Sequence, residues 1–357
     1  MKLTELTTRY IDFKRATGMR FGSEAWVLRA FCRAMGDIDL NVVRPDAVLA
    51  YIAGDGPVTS FWHHKFKILN GFYRFAIARG YTQTSPLPTT IPQCPPPHPP
   101  YIYTVDELRR LLAATDRLHT PTSPAQAITF RTLLLLLYST GVRIGEALAL
   151  TLADVDLGDS LLMVRDSKFF KTRVVPTGPK LTAQLETYAQ QRRRLPCPDG
   201  EGSAFFATRT GRPLLYTRVN RVFQQVRTWA GIERQDGARY PPRLHDLRHT
   251  AAVTHVVAWY RAGADLQRLL PQLATYLGHA DITGTQRYLT MTPELLDEAS
   301  RRFERYAFSE DYHGSDPFTR PLDPSIPTRI CRQRTSSGPQ YPTELSRYLA
   351  SAPTLCQ

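Results

Sequence analysis

Between residues 85 and 100, eight of sixteen residues are proline. Proline fixes φ, removes a backbone donor and favours extended polyproline geometry, so neither a helix nor a central strand passes through such a stretch. A chain of 357 residues is thereby divided into two blocks, 1–84 and 101 onward, each long enough to enclose a core of its own. Residues 85–100 are expected to form a linker. A proline-rich ligand for another protein is the other reading, and a spacer between folded blocks already accounts for the composition.

In the first block, apolar residues recur at three- and four-residue spacing over 6–16, 26–35, 48–52 and 61–77, which is the period of helices with one buried stripe. Pro45 sits where a first helical turn tolerates it, and Gly18, Gly36, Gly54 and Gly80 follow the periodic stretches where helices commonly end. A four-helix domain is predicted over 1–84. Its last helix interleaves His63, His64, Lys65, Lys67 and Arg74 with aromatic residues. These donors suit a helix tracking a phosphate backbone, and they also suit a solvated basic face over a core stripe of Phe61, Phe66, Leu69 and Tyr73.

After the linker, Thr104 and Glu107 have the spacing of a capping box and open a helix reaching Ala114. A buried helix is predicted over 127–140, stopping at Gly141. Residues 161–165 and 172–175 have the composition of a short β-hairpin around a basic turn. Further helices are predicted over 181–193, 219–230, 244–259 and 293–306. The fold class expected is therefore mostly α, with a small β-sheet or hairpin in the second block. From residue 311 to 357 seven prolines stand among many Ser, Thr and Arg residues, the composition of a disordered or loosely attached tail.

Lys and Arg total 45 against 32 Asp and Glu, a formal charge of +13. The excess is distributed, with 12 bases against 7 acids over 1–100, 28 against 21 over 101–310, and 5 against 4 beyond, so no single basic tail explains it. A polyanionic partner is implied, most often nucleic acid. The five cysteines are scattered, odd in number and never spaced as CxxC, which suggests neither a disulfide framework nor a zinc site and fits a reducing cytoplasm. The longest apolar run, 133–138, is far below the ~20 residues needed to span a bilayer, and no secretory leader is recognisable. The sequence contains no GxxxxGK[ST], GxGxxG, HExxH or GxSxG, so nucleotide hydrolysis, dinucleotide redox, zincin and serine-hydrolase chemistries have no motif support. No cofactor, metal or membrane is expected.

What remains is a set of basic residues. Thr140-Gly141-Val142-Arg143-Ile144-Gly145-Glu146 puts an arginine at the head of a helix, where a cation opposes the macrodipole and outward backbone N–H groups favour an anion. Glu146, one turn in, is placed to hold that guanidinium and fix its orientation. His245-Asp246-Leu247-Arg248-His249 offers a second arginine with a histidine three residues before it. Leu277-Gly278-His279 is followed, nine residues after His279, by Tyr288.

The order Arg143, Lys168, His245, Arg248, His279, Tyr288 resembles the tyrosine recombinases of the phage integrase family. STGVRIGEAL is similar to its first-arginine box, LHDLRHT to its HxxR box, and LGH with the tyrosine nine residues on to its nucleophile box. The turn from Ser167 to Pro176 looks like the β-hairpin that bears a catalytic lysine. Lys168 is the better match, with Lys171 and Arg173 then contacting the DNA backbone. The resemblance covers about residues 1–310 and implies a helical core-binding, SAM-like domain over 1–84 and an integrase-like catalytic domain over 101–310. One departure is the 31 positions from Arg248 to His279, longer than in compact Xer-like members; an inserted helix or loop is expected there, closer to the integrase-like transposases of mobile elements than to a chromosome-dimer resolvase.

The chemistry implied is phosphodiester transesterification. Tyr288 would attack the scissile phosphate to give a 3′-phosphotyrosine and a free 5′-hydroxyl. Arg143 and Arg248 would bind the phosphate oxygens, His245 and His279 would add hydrogen bonds or proton transfer, and Lys168 would protonate the leaving oxygen. Double-stranded DNA is the partner, strand exchange between two duplexes implies a homotetramer, and accessory or directionality proteins are expected. The alternatives are a type IB topoisomerase-like enzyme, which acts on one duplex, and a non-catalytic DNA-binding remnant, which has no reason to keep all six groups.

Overall fold

The computed structural model describes residues 1–95, 99–165, 172–238, 240–278 and 300–301. The chain divides into two units, Met1–His98 and Pro99–Gln357. In the first unit, amphipathic periodicity produces α1 (Leu3–Ala16), α2 (Gly22–Met35), α3 (Pro45–Ala53) and α4 (Ser60–Ala78). Leu3, Leu6, Leu28, Phe31, Leu69 and Phe72 are wholly enclosed between them, and the Tyr10 ring meets Phe72 edge-on at 5.6 Å. Leu87, inside the proline-rich stretch, packs back on this core.

The second unit opens with Tyr103, whose N–H donates to Thr250 Oγ1 at 3.0 Å and whose hydroxyl donates to the Arg243 carbonyl at 3.2 Å. The capping box then forms in both directions: the Glu107 N–H donates to Thr104 Oγ1 at 3.2 Å and the Thr104 N–H to Glu107 Oε2 at 2.9 Å. It starts α5 (Val105–Ala114). Next, α6 (Ala125–Thr140) is buried around most of its circumference, as a helix without a polar face must be. Enclosing each of its leucines, Leu133 and Leu136 among them, stabilises the unit by about 2 kcal/mol.

After the short α7 (Ile144–Ala149) come three antiparallel strands in the order β1 (Val155–Asp156), β2 (Leu161–Val164) and β3 (Arg173–Pro176). Leu161 pairs with Pro176 and Val164 with Arg173. Strand alternation buries Leu162 and Val164 of β2 and Arg173 and Val175 of β3, so an arginine occupies an inward position of the sheet. The unit continues with α8 (Pro179–Arg192), α9 (Tyr216–Trp229), α10 (Asp246–Arg261) and α11 (Leu266–Leu277). The fold is mostly helical with a small sheet, as the sequence patterns imply.

One element goes beyond the expectation: β1 extends the predicted hairpin to three strands. In the long Arg248–His279 spacing, where an inserted helix or loop was expected, α11 supplies twelve residues of helix. Asp265 starts α11, its side chain accepting from the N–H groups of Gln267 at 3.0 Å and Arg268 at 3.3 Å. Of the helix predicted over 293–306, only Ser300 and Arg301 lie among the described residues, and both are helical. The tail 311–357 lies outside them. No helix among the described residues is long and apolar enough to cross a membrane.

Candidate functional site

Gly141 ends α6 in the left-handed region, with φ +62°, and the turn it makes delivers Arg143 to the start of α7. Glu146, one turn into α7, accepts the Arg143 backbone N–H on Oε2 at 2.9 Å and Arg143 Nη1 on Oε1 at 2.8 Å. Glu146 thus holds the Arg143 guanidinium as expected, and the same carboxylate makes a two-pronged pair with Arg173. Arg173 Nη1 donates to Oε1 at 3.0 Å and its Nη2 to Oε2 at 2.7 Å, and both side chains of this pair are only 8% exposed. Burial pushes the Glu146 carboxyl up, but the Arg173 bonds and charge, with those of Arg143, outweigh it and bring the group down to about 2.

A second common point is the end of α11, where three successive carbonyls each accept from a different arginine. Arg173 Nε donates to the Tyr276 carbonyl at 3.0 Å, Arg248 Nη2 to that of Leu277 at 2.7 Å, and Arg143 Nη2 to that of Gly278 at 2.7 Å. The last carbonyls of a helix lack intrahelical partners and form the negative end of its dipole, so cations belong there. Arg248 Nη1 also donates to the Gly141 carbonyl at 2.6 Å. Gly278 has φ +68°, and a Cβ on it would lie 2.8 Å from Arg173 Nη1, so the guanidinium fits only against a glycine.

His245 precedes α10 directly, and its ring meets that of His249 edge-on at 4.8 Å. Behind it, the wholly buried Asp246 accepts the Arg243 N–H at 2.8 Å and Arg243 Nη2 at 2.9 Å, which fixes the turn leading to Arg248. His245 is exposed on one side; the surrounding protein still withholds water from the ring and, with the Arg248 charge, holds the histidine below its ordinary value. It is therefore neutral near pH 7. His255, two turns along α10, is a core histidine, pushed down to about 4 by burial and set against Trp259.

Arg143, Glu146, His245 and Arg248 thus gather around the junction of α6, α7, α10 and α11. Lys168, Lys171, His279 and Tyr288 lie outside the described residues. Arg173, expected to contact DNA, is turned inward with Nε, Nη1 and Nη2 all committed to Glu146 and Tyr276. On α4, Lys65 likewise departs from expectation: Nζ donates to the Tyr51 carbonyl at 2.7 Å and lies 4.7 Å from the centre of the Tyr51 ring. His63 Nε2 is buried, and His64 is half-buried beside Phe61. Lys67 and Arg74, seven residues apart on one helix face, are exposed.

Sequence reasoning did not single out the acceptor role of Gly141 and Gly278, nor the pairing of Asp246 with Arg243, although the three-residue spacing of the latter was a readable signal. Tyr276, the nearest tyrosine before the nucleophile box, is buried with its phenol pushed up by burial. A cavity of about 460 Å³ lined by Ser123, Gln126, Phe130, Leu214 and Arg218 shares no residue with the arginine cluster.

Residues 102–294, more than half of the chain, match the model of the phage integrase family. The chain belongs to that family. It is 37% identical over 303 residues to "Putative integrase/recombinase y4rE" of Sinorhizobium fredii, covering 84% of this chain and 95% of that one. It is 35% identical over 234 residues to the tyrosine recombinase XerD of Mycobacterium tuberculosis, covering 64% and 69%. The fold is similar to that of a lambda integrase tetramer bound to a Holliday junction, with a TM-score of 0.61 at 19% identity over 81% of this chain and 77% of that one. The integrase family member described here is a tyrosine recombinase, an enzyme of site-specific DNA recombination. Neither a type IB topoisomerase nor a non-catalytic remnant is favoured.

Proposed function

We propose that this recombinase breaks a DNA strand by attack of the Tyr288 hydroxyl on the scissile phosphate, forming a 3′-phosphotyrosine. The 5′-oxygen leaves with a proton from Lys168, and a 5′-hydroxyl from a second duplex reverses the attack, so the bond energy is kept without a nucleotide cofactor. Arg143 and Arg248 hold the non-bridging oxygens as charge grows on them, with His245 and His279 adding hydrogen bonds. Neutral His245 has a lone pair for the phenolic proton.

The observation that carries this reading is the charge of the cluster. Three guanidinium groups meet at the end of α11 and only one carboxylate, bonded to two of them, accompanies them, leaving a surplus of two positive charges held by main-chain carbonyls. Donors already held in place at a site for an anion lose no reorganisation energy when charge develops. The partner is double-stranded DNA, bound by a core-binding domain over 1–84 and by a catalytic domain over 101–310, the two joined by the linker 85–100, with 311–357 as a tail. Strand exchange uses a homotetramer, with accessory proteins setting direction, in the cytoplasm of a cell carrying a mobile element.

The test is incubation of the wild-type protein and Tyr288→Phe with DNA carrying the element's own ends, followed by denaturation and a search for covalent protein–DNA adducts. The wild type should form them. Tyr288→Phe should form none while binding DNA nearly as well, and adducts from Tyr288→Phe would overturn the assignment.

A further inference from the structure

We propose that Arg173 is a positioning residue of the recombination site: it holds Glu146 and the end of α11 together, sets the direction of Arg143, and touches no DNA. This inference rests on the reading of Arg143 as a phosphate ligand and extends it to a residue outside the six reacting groups.

Three observations converge on it. Every nitrogen of the Arg173 guanidinium has a protein acceptor, Nε on the Tyr276 carbonyl and the two Nη atoms on Glu146. Three of its five N–H donors are thereby committed, and with only 8% of its side chain exposed the group is directed at the protein rather than at solvent. Glu146 is shared: without Arg173 its full charge would fall on Arg143, whose attraction for a phosphate would be correspondingly reduced. Finally, Arg173 joins segments that are far apart in sequence. It opens β3, five residues after Lys168, and it grips Tyr276, twelve residues before Tyr288. A guanidinium is suited to this because its rigid fork serves two carboxylate oxygens while Nε points elsewhere; an ammonium cannot do both.

The experiment compares wild type, Arg173→Lys, Arg173→Ala, Glu146→Ala and the Arg173→Ala/Glu146→Ala double variant. Three quantities are measured: the single-turnover rate of adduct formation at saturating DNA, DNA affinity as a function of salt, and the thermal midpoint. For Arg173→Lys we expect the rate to fall about 100-fold, the loss typical of a small misplacement of reacting groups, with affinity and its salt slope unchanged. The losses in Arg173→Ala and Glu146→Ala should not add in the double variant, because both break one unit. If Arg173→Ala does not fold, the lysine variant decides.

A wild-type rate in Arg173→Lys would overturn the proposal and leave the ion pair purely architectural. A salt slope reduced by about 0.9 would also overturn it, since that is the mark of a lost phosphate contact. Failure of the nucleophile assignment is recognised separately, by adducts from Tyr288→Phe on the same DNA.

Discussion

On α4 the basic side chains Lys67 and Arg74 stand exposed on one helix face, whereas around the end of α11 three arginines are tied to main-chain carbonyls and one carboxylate. The two regions use the same charge for different physical purposes. Exposed lysine and arginine keep their hydration and rotamer freedom; they attract a polyanion at a distance and follow its contour, and salt weakens them. The α11 cluster has fixed directions, and the fixing is shared between main-chain carbonyls, which carry no net charge, and the one carboxylate of Glu146. A region that only attracts needs number and sign of charges, whereas a region that reacts with one phosphate needs bond angles.

The largest effect is expected at Arg248. Arg248→Ala removes a proposed phosphate ligand and leaves the carbonyls of Gly141 and Leu277 without this donor, so adduct formation should fall about 10³-fold in a single-turnover assay. Stability should fall by about 3 kcal/mol in thermal unfolding. If the rate survived while stability fell, the cluster would be a structural clasp and the contrast with α4 would lose its functional meaning.

An intermediate effect is expected for acid. Glu146 titrates near 2 in the folded chain against an ordinary 4.5, so its ionised form favours folding at every pH above 4.5. That contribution, on the order of 3 kcal/mol, is lost progressively as the pH falls from 4.5 to 2. The stability difference between wild type and Glu146→Gln should therefore shrink over that window. A difference independent of pH would mean that the carboxylate is not held by its charge.

The smallest effect is expected on α4. Lys67→Ala and Arg74→Ala should each lower the slope of log affinity against log salt by about 0.9 and leave the rate at saturating DNA unchanged. An unchanged slope in both would remove α4 from the DNA-facing surface.

Features set by neighbours in the chain were legible from the sequence. The Thr104–Glu107 capping box, the buried α6 and its stop at Gly141, and the paired strands around the basic turn all follow from spacing and residue type within a few positions. β1 was missed because two residues give no alternation to read. α11 was anticipated only as an inserted helix or loop without bounds, since Pro271 within it argues locally against a helix. The site divides in the same way. Arg143 and Arg248 stand in motifs, but the role of Arg173 depends on Glu146, 27 residues away, and on Tyr276, 103 away. An arginine beside a basic turn has the local appearance of a DNA contact; only the inward register of β3, set by the pairing of Val164 with Arg173, turns it toward Glu146.

The three carbonyls at the end of α11 also bear on which changes of length this fold can accept. Successive positions of a helix are rotated by about 100°, and Gly278 departs further through its positive φ. The arginines that meet these carbonyls come from three separate elements: the start of α7, β3 and α10. Deleting one residue within α11 would turn its terminal acceptors away from all three at once, and inserting one would do the same in the opposite sense. Insertions and deletions in relatives of this chain should therefore fall in the turn between Arg261 and Leu266, where the backbone has no angular register to keep, and pass over the helix itself.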